Sequence, residues 1–479
     1  MRKFWTRSIR RGSTEKQQAI SGLAASVGGR EVRIGLDLGV ANTRCIVNLL
    51  GATPGEDESF ALALERDRAC LPSTIAVVSD VMHIGTAAES MDGALRSVLM
   101  WLPLLAGDSI DTSVSGKYDN LKQTVFNLGD HMISAKEVMI LYLERVLARV
   151  LRGLDQHIGA GRWHGSLRVP VPAVASRRYR ALLEEVVTLA LDLAMAANGR
   201  TPSMTESLSG LTERYQRGSG RAPQERCQVT IVSSAEAAAV ALTAAASSKA
   251  QCRRVVAIDI GAGSTTATCF KHDRMTASLR GVHSVFNGMD DIDQLFARAR
   301  AVRRKPARVF RESSGLRPSD RPMVRRGLDL LCAPMQEALG MATAGGRTLD
   351  RWCKGRRAAF DVVLIGGGGC CDLVRDEFKR RTRTPLPGAV EFWDVETAMP
   401  SRTSLLLCME PSAGGTQQPI DPAELPLLVI AEGLAERSVS YVAGTRRKTK
   451  RHSSKQVAAR KKRPGSSADR ARDARFDVH

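Results

Sequence analysis

A chain of 479 residues is long enough for two or three domains with sizeable cores, and 43% hydrophobic residues suit a soluble globular protein. No apolar run reaches membrane-spanning length, since the best candidate, Val186 to Ala197, is interrupted by Asp192. The ten scattered cysteines lack a C-x-x-C pair, a reduced, cytosolic usage. The net charge of +20 sits mainly in the ends: residues 1–30 carry seven Lys or Arg against one acid, and residues 446–479 carry thirteen against three.

Residues 1–30 lack hydrophobic periodicity and are expected to be a disordered basic tail. They are Arg-rich and nearly free of acids, as organelle transit peptides are, and no apolar core follows the charges as a secretory signal requires. From Val32 to Leu49 an apolar run (Ile34, Leu36, Leu38) enters a turn at Gly39 and leaves through Cys45, Ile46 and Val47, the pattern of a two-stranded hairpin. Leu71 to Val78 reads as a strand, Ala87 to Leu105 as an apolar helix or pair of short helices, and residues 107–130 as polar and turn-rich. Ala135 to Leu151 carries Val138, Met139, Leu141, Leu143, Val146, Leu147 and Val150 near a 3.6 period, which predicts a helix. Leu167 to Val171 predicts a strand and Arg178 to Ala197 a helix. Thr201 to Arg226, with Ser, Gly, Arg and Pro but little periodicity, predicts a flexible insertion.

Val229 to Val232 predicts a short strand leading through Ser233 and Ser234 into an Ala-rich helix, Glu236 to Ala246. Val255 to Phe270 (V-V-A-I-D-I-G-A-G-S-T-T-A-T-C-F) repeats the first hairpin, with Asp259 lying 222 positions beyond Asp37 (259 minus 37). Asn287 to Arg304 predicts a helix bearing Arg298, Arg300, Arg303 and Arg304, residues 305–322 a loop, and Met323 to Ala342 another helix. Phe360 to Asp372 (F-D-V-V-L-I-G-G-G-G-C-C-D) reads as a buried strand, four glycines and then a helix, Asp372 to Arg381. Within it, Cys370 and Cys371 read as packing residues rather than a redox pair. Asp421 onward predicts a closing helix back on the first lobe, and residues 445–479 a second disordered basic tail. Such tails are suited to nonspecific association with nucleic acid, an anionic membrane surface or an acidic partner, although Phe476 alone supplies no stacking platform.

The chemistry resides in the glycine turns. Glycine lets backbone N–H groups approach an anion closely, and a carboxylate at the turn can hold a hydrated divalent cation. Asp37 and Asp259 are the candidate carboxylates, and two such turns on separate lobes could close on one nucleotide. A dinucleotide-binding reading of Gly366 to Gly369, with Glu391 as the later acid, is disfavoured because Cys371 would occupy the third glycine of G-x-G-x-x-G.

The three stretches resemble the phosphate-one, phosphate-two and adenosine motifs of the actin, sugar kinase and heat-shock chaperone ATPase superfamily, over roughly Val32 to Tyr441. The resemblance is to a DnaK-type heat-shock chaperone ATPase domain. Leu71 to Ala88 is similar to the strand after that family's first hairpin; Val171, Pro172, Ala173 and Arg180 match its V-P-A segment. Gly288, Asp290 and Leu295 match part of a G-G-x-D-x-D-x-x-L segment, and Ile133 to Val150 resembles the helix after a small extra sheet. Ala41 to Thr43 and Pro426 to Gly433 look more like the bacterial actin-like shape proteins. The resemblance implies an α/β, two-lobe actin-like ATPase fold of duplicated ribonuclease H-like domains. Lobe I is expected over about 31–228 plus 423–444 and lobe II over about 229–422, in a nucleotide-binding domain spanning 31–444. It further implies ATP or ADP with Mg²⁺, held through water by Asp37 and Asp259, and nucleotide contacts from Gly39, Asn42, Gly261, Gly263, Ser264, Thr265, Gly366, Gly367 and Gly368.

Several positions depart from that pattern. Val40 replaces a phosphate-one threonine, Ala262 a glycine and Thr266 the second phosphate-two carboxylate. The Ala237 to Ala239 register places Ser234 where the family carries its catalytic glutamate, with Glu236 two positions on. No lysine occurs between Lys16 and Lys117, so Leu99 or Met100 holds the catalytic-lysine position. Each tenfold loss of rate corresponds to about 1.4 kcal/mol, and such losses imply a weak or absent ATPase. The family's peptide-holding β-sandwich is not expected either, since a basic tail follows Gly444. The expectation is a cytoplasmic, nucleotide-responsive protein-interaction module with an eroded catalytic set and an unknown protein partner. The alternatives are an active ATPase of the same fold, chaperone-like or a bacterial actin-like filament protein, and a scaffold acting through its tails.

Overall fold

The computed structural model describes residues 29–53, 56–65, 68–91, 94–96, 98–108, 125–128, 131–160, 162–173, 175–196, 206–218, 226–245, 253–273, 275–285, 288–290, 329, 332, 360–383, 390–393, 406–408, 417–420, 424–436 and 439–442. Both basic tails, apart from Gly29 and Arg30, lie outside them, as do the arginines expected beside the nucleotide at 298, 300, 303 and 304 and most of the helix expected over Met323 to Ala342.

The chain is mixed α/β, with two large sheets that share one topology. In the first, β1 (Arg30–Leu38), β2 (Asn42–Leu49) and β3 (Glu58–Leu62) form an antiparallel meander, while β4 (Trp163–Val171) and β5 (Cys227–Ser233) add parallel to the far side of β1. The order is β5-β4-β1-β2-β3. In the second sheet, β6 (Arg253–Ile260), β7 (Thr265–Asp273) and β8 (Thr276–Val285) make the meander, and β9 (Phe360–Ile365) and β10 (Val390–Trp393) add parallel beside β6, in the order β10-β9-β6-β7-β8. Both expected hairpins are therefore present, and their turns have equal length: Asp37 pairs with Arg44 and Asp259 with Thr266.

The edges cross the boundary drawn from sequence. Strands β11 (Leu406–Cys408) and β12 (Gln417–Pro419), which fall in the stretch assigned to lobe II, join the first sheet through β3. Strand β13 (Ser440–Val442), assigned to lobe I, pairs with β8 of the second. Leu71 to Val78 is not one strand but two, Cys70–Pro72 against β2 and Thr74–Val78 in a separate four-stranded sheet. The break falls at Ser73, whose N–H donates to Ala41 O (2.8 Å) and whose carbonyl accepts from Val98 N (3.1 Å). The stretch Ala87 to Leu105 resolves into short helices Thr86–Glu89 and Trp101–Ala106, with strand Leu95–Arg96 and one 3₁₀ turn between them.

Helix α1 (Ala135–Ile158) follows a two-stranded ribbon, 125–128 with 131–134. Its start is fixed by a capping box: the Ser134 hydroxyl accepts from Glu137 N (3.2 Å), and the Glu137 carboxylate accepts from Ser134 N (2.8 Å). It runs seven residues past the expected Leu151, because Leu154 and Ile158 continue the apolar face, and stops at Gly159, where φ is 103°. Helix α2 (Arg177–Ala196) packs alongside it.

The flexible insertion expected at Thr201 to Arg226 is corrected by the structure, which holds strand Glu206–Ser207 and helix α3 (Leu208–Gly218) there. This helix packs against α2, and Ser209 Oγ donates to Asp80 Oδ2 (3.0 Å). Tyr215 packs against the first core, and Arg214 Nη1 lies 3.4 Å from Glu144 Oε1, a carboxylate 2% exposed on α1 that also meets Arg145 (3.4 Å). A buried carboxylate must keep its counter-charge. Arg214→Met is accordingly expected to destabilise the chain by about 1–3 kcal/mol in urea unfolding and to raise amide exchange across α3.

Helix α4 (Ser234–Ala245) starts at the end of β5. After β9 comes a single helical turn, α5 (Gly366–Gly369), then α6 (Asp372–Arg383), as the glycine-rich stretch predicted. The closing helix, α7 (Leu425–Ala435), lies on β1 and β2 and against α4. Arg33 Nη1 donates to Glu436 O (2.6 Å) and Asn48 Nδ2 to Ala435 O (3.4 Å), tying its end to the first sheet. Among the described residues no helix is long and apolar enough to cross a membrane.

Candidate functional site

In sheets of this kind ligands bind at the carboxyl ends of parallel strands, where the strand order reverses. Here those ends converge. Asp37 and Leu38 close β1, Pro170 and Pro172 flank the end of β4, Ser234 follows β5, Asp259 lies at the end of β6, and Gly366 and Gly367 follow β9. All line one cleft of ≈ 130 Å³. That is roughly ten times the space a single water needs.

Each turn is held by donors to its carbonyls from neighbouring segments. In the first, Ser73 donates from Oγ to Gly39 O (2.8 Å), and Ser73 belongs to a buried hydroxyl cluster with Thr43 and Tyr142, whose Thr43 Oγ1 to Tyr142 Oη distance is 2.9 Å. In the second, Gly261 N donates to Ser264 O (2.9 Å), and the carbonyls of Gly261 and Ala262 accept from Met289 N (3.0 Å) and Asp290 N (2.8 Å). Gly366 has φ 77°, and a Cβ there would sit 2.4 Å from Asp259 Oδ1, so only glycine brings this turn against the carboxylate.

Of the residues singled out in the sequence, Asp37, Gly39, Asn42, Ser234, Asp259, Gly261, Gly263, Ser264, Gly366 and Gly367 line the cleft together. Thr265 and Gly368 do not. Thr265 is fully buried at the start of β7, and Gly368 packs on Ile260, whose Cγ2 lies 2.3 Å from where its Cβ would be. The departures from the family pattern are on the wall as well: Val40, Ala262, Leu99 and Ser234 all face the cleft. Glu236 is not among the lining residues; it lies near Arg168 and Arg180, and burial raises its pKa against their attraction. Cys370 and Cys371 form no disulfide; Cys371 is buried, and Cys370 donates from Sγ to Gly366 O (3.6 Å).

The residue that sequence reading passed over is Arg44. It lines the cleft, donates from Nη1 to Asp37 Oδ2 (3.0 Å) and from Nε to Cys70 Sγ (3.2 Å), and is buried with its partner. Burial disfavours its charge, but Cys70 and Asp37 outweigh that and raise its pKa, so it stays a cation. Asp37 is raised chiefly by burial, with Arg44 opposing. Asp259 is pushed up to about 7, first by burial and then by the negative charge of Asp37, with Arg44 again opposing.

These donors do not fit the divalent cation implied by the resemblance. Asp37 is committed to Arg44 at 3.0 Å. Thr266, at the position of the missing carboxylate, turns its hydroxyl to Ser284 Oγ (2.7 Å). Among the described residues no three His, Cys, Asp or Glu side chains gather as a metal site. What the arrangement supplies is an anion site: glycine turns from two sides, one guanidinium and one protonatable carboxyl. A scan of the chain against protein-family models finds no match, and a search among curated proteins finds none either.

Proposed function

We propose that the chain is a nucleotide-responsive binding module with an actin-like, DnaK-type architecture and an eroded catalytic set. The observation that carries this is the repeated sheet order, each copy placing an Asp and a glycine turn on the same cleft, with Gly366 and Gly367 closing the third side. The ligand class is a nucleoside polyphosphate, ATP or ADP, with its phosphates between the two turns and its nucleoside toward Gly366. Turnover is slow in this reading, because Val40, Leu99 and Ser234 offer neither a lysine ammonium nor a carboxylate to the attacking water. A cytoplasmic setting with a protein partner belongs to the same proposal, in keeping with eight cysteines among the described residues that form no disulfide.

Calorimetric titration of the full chain with ATP and ADP, followed by phosphate release on the same sample, tests it. Binding with negligible phosphate release is expected. Steady turnover would favour an active ATPase, and no binding would leave the fold as a scaffold. Gly366→Ala ties the signal to the cleft: at φ 77° the new Cβ would press on Asp259 Oδ1 and Ile260 O. Affinity should fall at least about tenfold, with strain of about 1–2 kcal/mol showing as modest destabilisation. An unchanged affinity would place the nucleotide elsewhere.

A further inference from the structure

Asp37, Asp259 and Arg44 are the charged side chains that line the cleft. Arg44 stands opposite Asp37 across the β1–β2 hairpin, and the corresponding position opposite Asp259 is Thr266. One copy of the hairpin thus carries a guanidinium where the other carries a hydroxyl. Arg44 lies directly under the first glycine turn: a Cβ on Gly39 would be 3.7 Å from its Nη1. Nε donates to Cys70 and Nη1 to Asp37, two of the five N–H groups of a guanidinium, and Arg44 lines the cleft that an incoming anion would enter. A guanidinium keeps its charge across the whole working pH range and presents parallel N–H donors to two phosphate oxygens. A hydrated divalent ion needs carboxylates not already paired, and here Asp37 is paired at 3.0 Å.

We propose that Arg44 is the resident cation of this cleft, so that the chain binds the phosphates of a nucleoside polyphosphate without a divalent metal. The inference rests on the nucleotide reading above. In it Asp37 is the counter-charge that competes with the phosphates for Arg44, and the module responds to nucleotide concentration without responding to free Mg²⁺.

The test is titration of the full chain with ATP in two buffers, one with EDTA and one with Mg²⁺. Comparable affinity in both is expected. Binding that requires Mg²⁺ overturns the inference while leaving the nucleotide reading in place, and absence of binding in both overturns the two together. Asp37→Asn separates the roles by sign. It preserves shape and releases Arg44, so ATP affinity in EDTA should rise by about tenfold, whereas a metal-ligand role for Asp37 demands a loss in Mg²⁺ and no gain in EDTA. Arg44→Met should lower affinity in EDTA at least about tenfold. Because that variant strands the buried Asp37, the charge-neutral pair Asp37→Asn with Arg44→Met is measured beside it. Wild-type affinity in the neutral pair would overturn the proposal.

Discussion

Asp259→Asn is expected to stabilise the chain at pH 8 by as much as about 4 kcal/mol and to leave it almost unchanged near pH 4. Asp259 has its pKa pushed from 3.8 to about 7, chiefly by burial and then by Asp37, against the pull of Arg44. The folded chain therefore holds a proton that the unfolded chain releases above about pH 4. Stability contributed by that proton is fully present below 3.8, declines as pH rises, and is gone above about 7, where a charged carboxylate must sit beside Asp37. Three pKa units correspond to about 4 kcal/mol, and since part of Asp259 faces the cleft this is an upper bound. Asparagine mimics the protonated acid at every pH. Urea midpoints of both proteins between pH 4 and 8 should converge at the acid end and separate toward the alkaline end. A constant gap would mean that Asp259 titrates normally. Such a penalty is retained where a site needs the group, and a carboxyl protonated near neutrality can donate a hydrogen bond to a phosphate oxygen.

Much of this site was legible in the residues. Two runs of alternating and continuous apolar residues, each broken by an Asp and a glycine turn, forced two hairpins, and Gly366 to Gly369 after an apolar strand forced a third turn. Arg44 went unread because it was weighed as one residue of an exit strand. The signal was in the register: with Leu38 opposite Thr43, the next pair inward is Asp37 and Arg44, two opposite charges on one face. Helix α3 was hidden for another reason. Leu208, Leu211 and Tyr215 fall at helical spacing, but the run is short among Ser, Gly and Arg, and the Arg214 contact with Glu144 of α1 spans seventy positions (214 minus 144) that no local window contains. The edge strands β11 to β13 are similar: each is three residues long, and which sheet receives it is decided by tertiary pairing.

Gly433→Ala is expected to cost about 3 kcal/mol or more, a large share of the 5–15 kcal/mol that holds a typical domain together. Helix α7 is apolar and buried along nearly its whole circumference, clasped between the first sheet and α4. Both faces touch backbone. A Cβ on Gly433 would lie 1.8 Å from Ala237 O of α4, and a Cβ on Gly35 of β1 would lie 2.1 Å from Ala431 O of α7. Neither neighbour is a side chain that can rotate away, so the helix must move as a body. The better helix propensity of alanine, about 1 kcal/mol, cannot offset that. Gly153→Ala is the matched control: it too lies within a helix, but its new Cβ meets only the tip of Leu62, 2.9 Å away, and the substitution should be near neutral. Equal urea midpoints for the two variants would show that α7 and α4 can part freely. Because Pro426, Leu427 and Ile430 of α7 also line the cleft, a displaced helix should lower ATP affinity together with stability, linking the packing of the two sheets to the state of the site.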